Sequence, residues 1–155
     1  MSQARFEELV AEITKAIGDK PLDDALGDFL NQSYATDSEA YRDMEATLRD
    51  GDAEGWVCGR EAAGIRYGRI VKPGGIAGKF STDVVRMENC KGPHHIHPTG
   101  EIGWIIPVSG APTLDGMGKG WYVYPPMSDH WPTVEGGDTY VLYFLPNGEM
   151  EFTGK

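Results

Sequence analysis

The 155-residue chain is acidic, with 14 Lys and Arg against 24 Asp and Glu and a net charge of −10. A field of this sign repels nucleic acids and anionic membrane surfaces, so we exclude both as partners. No apolar run reaches the roughly 18 residues that cross a bilayer, and the first residues lack the basic start and apolar block of a signal peptide. We therefore expect a cytoplasmic, single-domain protein in which Cys58 and Cys90 are reduced thiols.

The N-terminal third has the spacing of amphipathic helices. Apolar side chains recur three and four residues apart between Phe6 and Ile17, which predicts a first helix. A second helix is predicted to begin at Pro21, and a third to begin at Ser38 and to end before Gly51. We interpret these helices as a cap packed on the rest of the chain or as a dimerisation element, and we expect a homodimer.

From residue 52 onward, Gly and Pro become frequent, and short β-rich runs alternate with turns. Many short strands at regular spacing indicate an all-β barrel or sandwich. We therefore predict a mainly β protein with a helical extension over residues 1–51 and a β-barrel over residues 52–155. The predicted strands cover residues 55–59, 64–71, 79–88, 93–97, 101–107, 111–114, 120–124, 130–134, 139–145 and 149–153.

Residues 92–110 contain the pattern His95-x-His97-x3-Glu101. Side chains two residues apart on a strand point to the same face, so the two histidines point together, and Glu101 has the same parity. A lone His130 comes later in the chain. Imidazoles and a carboxylate that converge are a set of metal ligands. The pattern predicts one bound divalent metal ion, and Fe, Zn and Mn stay open because imidazole suits all three.

These two stretches resemble the motifs of the cupin superfamily, G-x5-H-x-H-x3–4-E-x6-G and G-x5-P-x-G-x2-H-x3-N. All four ligand positions of the two motifs are filled, whereas Met127 replaces the second-motif Gly and Val134 replaces its Asn. The resemblance implies a jelly-roll barrel, also called a double-stranded β-helix, with the metal held by the three histidines and the glutamate.

A wider set of segments resembles one family of small bacterial cupins, the 4-hydroxylaminobenzoate lyases of nitrobenzoate degradation. The resemblance implies that 4-hydroxylaminobenzoate, a small aromatic carboxylate, is converted to protocatechuate with release of ammonia. The segments that carry it are Glu54–Arg69, Asp83–Val85, Gly92–His95, His97–Glu101, Gly120–Tyr124, His130–Val134, Val141–Tyr143 and Glu151–Thr153.

The run of residues 65–71 alternates, and its face with Tyr67 and Arg69 is the better barrel interior. Burial of Arg69 would require an anion, which is either a substrate carboxylate or an acidic side chain in a structural ion pair. We select Arg69, Tyr67 and Tyr124 as candidate catalytic residues, with Arg69 as the carboxylate anchor and a tyrosine or histidine as the proton donor. The candidate walls of an aromatic pocket are Tyr67, Trp104, Tyr122 and Tyr124.

Other functions fit the same residues. An Fe(II) oxygenase acting on a small aromatic or thiol substrate could use the same ligands, and dependence on O2 would distinguish it from a lyase. A non-catalytic cupin that binds a metabolite is a further alternative, which loss of ligand residues would favour; none is lost here. An isomerase also remains open.

Overall fold

A computed structural model describes all 155 residues. The chain is mainly β with a helical N-terminus, which confirms the predicted fold class. No helix is both long and apolar enough to span a bilayer. The elements are α1 (Gln3–Ile17), α2 (Asp24–Ser33), α3 (Glu39–Glu54), β1 (Arg60–Ala62), β2 (Ile65–Val71), β3 (Phe80–Glu88), β4 (His95–His97), β5 (Glu101–Leu114), β6 (Gly120–Tyr124), β7 (Ser128–His130), β8 (Val134–Pro146) and β9 (Glu151–Phe152).

The strands form two antiparallel sheets. The large sheet has the order β1-β2-β3-β8-β5-β6, and the small sheet has the order β7-β4-β9. Strands far apart in sequence are neighbours, since β8 lies between β3 and β5, and the chain crosses between the sheets before and after β4. Such long-range antiparallel pairing across two sheets is the jelly-roll arrangement of a cupin barrel.

The large sheet is covered on both faces. On one face its apolar side chains join those of the helices in a 24-residue buried cluster, in which Trp104 stacks on Trp121 at 4.3 Å and meets Tyr41 of α3 edge-on at 5.8 Å. The other face contributes to a six-residue cluster in the barrel interior that includes Ile105 and Tyr122. The alternation of β5 explains this division, because Trp104 and Ile105 point to opposite faces. The prediction that Trp104 forms a wall of the pocket is therefore wrong.

The predicted cap interpretation agrees with this packing, because the helices bury their apolar faces on the sheet. The division at residue 51 stays a prediction.

The third helix was predicted to end before Gly51, but it continues to Glu54 and is capped by Gly55 at φ 93°. Gly51 is required for a different reason: a Cβ there would lie 2.4 Å from Val57 and 2.5 Å from Trp56, so its absence allows the chain to fold back against the helix.

Other element boundaries also differ from the predictions. The second helix begins at Asp24 rather than at Pro21, because the Asp23 side chain accepts the hydrogen bond that caps it. Residues 55–59, predicted as a strand, form the turn after α3. The predicted strands 101–107 and 111–114 are one strand, β5, that bends at two register shifts. The predicted strand 130–134 is divided between β7 and β8.

Asp52 in the last turn of α3 ties the helix to the barrel. Its carboxylate accepts two hydrogen bonds from Arg66, one from Arg86 and one from the Tyr140 hydroxyl. Burial alone would raise the pKa of Asp52, but these hydrogen bonds outweigh it and lower the pKa. The carboxylate is thus held charged, and α3 is fixed against β2, β3 and β8.

Candidate metal centre and cavity

Three histidines of the small sheet converge. His95 and His97 share one face of β4, and the antiparallel pairing with β7 places His130 opposite His95. The Nε2 atom of His95 lies 3.0 Å from that of His97 and 3.0 Å from that of His130. Ligand atoms of the three rings all lie within 4.8 Å of one another. Because the pairing register and the strand alternation fix these positions, the cluster is a property of the backbone.

The spacing of these nitrogens fits a single ion. Nitrogen ligands that are each about 2.1 Å from one ion lie about 3 Å apart when the angle at the ion is near 90°. Burial, together with the neighbouring His130, lowers the pKa of His95 to about 4, and burial, together with His95, lowers that of His97 to about 3. Both rings are neutral at neutral pH, which is the form that binds a metal.

The other nitrogen of each ring is held by the protein. When Nδ1 is engaged by an outer partner, the ring orientation is fixed and Nε2 faces the centre, as in many metal sites. The partners are Pro93 O for His95 at 3.2 Å, Ser128 Oγ for His97 at 3.0 Å and Asp115 Oδ2 for His130 at 2.5 Å.

Glu101, the fourth predicted ligand, lies beside the histidines. Its Oε1 atom is 3.5 Å from His97 Nε2, and its Oε2 atom accepts a hydrogen bond of 2.6 Å from the Tyr122 hydroxyl. Burial raises the pKa of Glu101 to about 7, although the Tyr122 bond acts in the opposite direction. Gly103 makes this bond possible, since a Cβ at that position would lie 2.0 Å from the Tyr122 ring. Sequence reasoning named Tyr122 as a wall but missed its contact with Glu101.

Tyr124, a predicted catalytic residue, contacts His97 but does not line the cavity. Its ring stacks on His97 with centroids 5.5 Å apart, and its hydroxyl donates to Asp115 Oδ2 at 2.6 Å. The same oxygen holds His130, so Tyr124 and His130 share one carboxylate. Asp115 was not predicted, because Asp115-Gly116 in the sequence indicates only a turn. A catalytic role for Tyr124 stays a prediction.

The second-motif Gly of cupins is replaced by Met127, and the backbone keeps the glycine conformation. Met127 has φ 67°, in the left-handed region that disfavours a side chain. Its amide donates to His97 O at 2.7 Å, and its side chain is exposed. The turn that leads into β7 is thus closed against the backbone of His97, and the substitution leaves the histidine geometry intact.

A cavity of about 690 Å³ opens beside the histidines and is lined by residues of both sheets. Its walls are mainly apolar, with Tyr67, Tyr122 and Tyr143 as tyrosines, and His95, His130 and Glu101 also line it. The volume suits a small aromatic ligand. Of the predicted walls, Tyr67 and Tyr122 line the cavity, whereas Trp104 and Tyr124 do not. Tyr143 was missed, although it has the parity of the buried Val141 on β8.

The prediction that the barrel buries Arg69 is wrong. Its side chain is 39% exposed and does not line the cavity. Its Nε atom donates to Asp83 Oδ1 at 2.7 Å, across the strand pair, and its Nη2 atom donates to Gly148 O at 3.1 Å. A register shift between Arg69 and Val71 interrupts the alternation on which the prediction depended. These contacts match the structural ion pair, which was the alternative for Arg69. They do not support Arg69 as the anchor of a substrate carboxylate, and that role stays a prediction.

We predict that Asp115→Asn weakens metal binding by about 10–100-fold, because the amide cannot supply the charge that holds His130 Nδ1. The measurement is competition of the variant with a chromogenic chelator at fixed pH. Asp129→Asn is the matched control, since Asp129 is on the same strand as His130 but binds His94. Equal affinity in Asp115→Asn and the unaltered protein would contradict the orienting role.

Known proteins similar to this chain include one enzyme family and a solved cupin structure. A family model described as 4-hydroxylaminobenzoate lyase (PnbB) matches residues 8–152. A 4-hydroxylaminobenzoate lyase of Pseudomonas putida is 30% identical over 161 aligned positions, covering 93% of this chain and 92% of that protein. Another of that name from Nocardioides sp. (strain LMS-CY) is 32% identical, covering 80% of this chain and 79% of the relative. Among solved structures, an RmlC-like cupin from Ralstonia eutropha has a TM-score of 0.44 and 14% identity over 59% of this chain and 60% of its own.

Proposed function

Because the chain belongs to the 4-hydroxylaminobenzoate lyase family, we propose that it converts 4-hydroxylaminobenzoate, or a related arylhydroxylamine, to protocatechuate with release of ammonia. The observation that carries this proposal is the convergence of three histidine Nε2 atoms beside a mainly apolar cavity of about 690 Å³, which has ample room for a substituted aromatic ring. A fold alone would not support it, since cupin barrels host many functions.

The metal in this proposal is one divalent ion, held by His95, His97, His130 and Glu101. The neutral rings of His95 and His97, the engaged Nδ1 atoms and the two 3.0 Å separations support the three histidines. Glu101 is included because its Oε1 atom lies 3.5 Å from His97 Nε2. A bound ion of this kind would supply Lewis-acid chemistry toward oxygen. In a six-coordinate site, four protein ligands leave two positions open for water or substrate.

The reaction balances without an external oxidant. Hydroxylaminobenzoate and one water give protocatechuate and ammonia, because the N–O bond is the internal oxidant. In the proposed sequence the N–O hydroxyl leaves as water, a water adds to the adjacent ring carbon, and a second water replaces the nitrogen. The protein must therefore protonate the departing oxygen and then admit water to the ring.

Two tyrosine hydroxyls of the cavity are available for the first of these tasks. Tyr67 and Tyr143 line the cavity, and neither hydroxyl has a hydrogen-bond partner in the protein, whereas the Tyr122 hydroxyl is occupied by Glu101. Burial raises the pKa of Tyr143, so its hydroxyl stays protonated and can donate a hydrogen bond. We propose that Tyr143, with Tyr67, donates a hydrogen bond to the departing oxygen.

The test is incubation of the metal-loaded protein with 4-hydroxylaminobenzoate. We expect ammonia and protocatechuate in equal amounts, measured by an enzyme-coupled ammonia assay and by chromatography. The control substrate is 4-aminobenzoate, which lacks the N–O bond and should release no ammonia. Ammonia from both compounds, or ammonia without protocatechuate, would contradict the proposed reaction.

A further inference from the structure

The cavity differs in charge from the rest of the protein. The chain carries a net charge of −10, but the ionisable residues lining the cavity, apart from histidine and tyrosine, are Lys91, Lys155 and Glu101. Glu101 is already occupied by Tyr122 and lies beside the histidines. A cavity with two cationic side chains in a strongly acidic protein attracts an anion locally.

Lys91 is fixed in place by the elements that build the histidine cluster. Its backbone pairs with Thr133, whose amide donates to Asp115, the carboxylate that holds His130. The flanking Gly92 amide donates to Pro132 O at 2.7 Å. Lys91 is therefore attached to the same framework as the histidines, unlike a lysine on a free loop.

The ammonium group of Lys91 is also held at the cavity wall. Its Nζ atom lies over the Trp131 ring, 5.0 Å from the centroid, and the same ring packs against buried His94 with centroids 4.4 Å apart. Trp131 and Lys91 both line the cavity. A cation–π contact occupies none of the hydrogen-bond donors of the ammonium group, since an aromatic face accepts no conventional hydrogen bond.

The length of chain between Lys91 and His95 is compatible with one ligand that contacts both the Lys91 ammonium group and the histidine cluster. Lys91 and His95 are four positions apart in the chain, with three residues between them, and this length of chain spans at most about 14 Å. The arginines that could compete are engaged elsewhere, with Arg69 bound to Asp83 and Arg66 bound to Asp52. Neither arginine forms part of the cavity wall.

We propose that Lys91 binds the carboxylate of the substrate, so that the cavity selects aromatic anions whose reacting nitrogen is directed at the histidines. Lys155 adds a second positive charge at the same cavity. The inference rests on the proposed function only for the identity of the nitrogen group. Recognition of the anion by Lys91 is a separate property, which a non-reacting ligand can measure.

The experiment is calorimetric titration of the metal-loaded protein with benzoate and with benzamide, its neutral counterpart. In Lys91→Met we expect the Kd for benzoate to rise about tenfold and that for benzamide to stay unchanged. Lys91→Arg should retain most of the benzoate affinity. The control variant is Lys72→Met, an exposed lysine outside the cavity, which should bind both ligands normally. Benzoate affinity should also fall with added salt.

Unchanged benzoate affinity in Lys91→Met would overturn the proposal, and so would equal weakening of benzoate and benzamide or a loss confined to Lys155→Met. Absence of benzoate binding to the unaltered protein would also overturn it. If Lys91 controls benzoate binding but 4-hydroxylaminobenzoate yields no ammonia, the proposed reaction fails and the anion site stands. If ammonia is released with equal KM in Lys91→Met, the reaction stands and the anion site fails.

Discussion

His97→Ala should lower the bound metal from about one ion per chain to almost none and should abolish turnover. His97 is fully buried, and its Nε2 atom is 3.0 Å from that of His95 and 3.5 Å from a Glu101 oxygen. The substitution removes one ligand of the proposed ion, which His95 and Glu101 also bind in the proposal. The loss should exceed the 10–100-fold that follows from disturbing an outer partner of a ligand. Elemental analysis after dialysis measures it directly.

The matched control is His94→Gln. His94 is as deeply buried and lies three residues away, but its ring nitrogens contact Asp129 and Thr153 and it is outside the cluster. This variant should keep its metal. Near-stoichiometric metal in His97→Ala, with a native circular dichroism spectrum, would contradict the ligand assignment. Glu101→Ala tests the fourth ligand separately, since retention of metal in that variant alone would leave a site of three histidines.

The histidine cluster could be predicted because it depends on local rules. Alternation along a strand places His95 and His97 together whatever the tertiary fold. The position of His130 opposite His95 depends on the register between β4 and β7, and only the motif resemblance indicated it. The helical stripes were predictable in the same way, since Phe6 and Ile17 have the spacing of one buried face.

The errors have a common physical origin in contacts that strand or helix periodicity does not encode. Arg69 has the parity of the barrel interior, but Asp83 lies directly across the strand pair and a register shift follows. Gly51 has the appearance of a helix end, yet it serves the close approach of Trp56. Asp115 stands in a turn, and only the folded chain shows that its carboxylate holds His130 and Tyr124. Periodicity and turn signals in a single sequence do not specify these contacts.

Turnover of 4-hydroxylaminobenzoate should proceed at the same rate in an oxygen-free chamber as in air. The proposed reaction takes its oxidising equivalents from the N–O bond and its new oxygen from water, so O2 has no place in the balanced equation. An Fe(II) oxygenase with the same ligands, the main alternative, would stop completely without O2. The measurement is ammonia and protocatechuate released in sealed, deoxygenated vessels, with the aerobic reaction run in parallel. Strict dependence on O2 would exclude the lyase and favour the oxygenase.

Repeating the anaerobic reaction in ¹⁸O-labelled water distinguishes the steps within the lyase reaction. If the N–O hydroxyl leaves before water attacks the ring, both phenolic oxygens come from solvent, and protocatechuate should gain two labels. One label would mean that the hydroxylamino oxygen migrates to the ring, which contradicts the proposed water attack. The control is unlabelled protocatechuate incubated with the protein in labelled water, which should gain no label. Because Tyr67 and Tyr143 are proposed only to assist departure of the oxygen, Tyr143→Phe should slow the reaction and leave the label count at two.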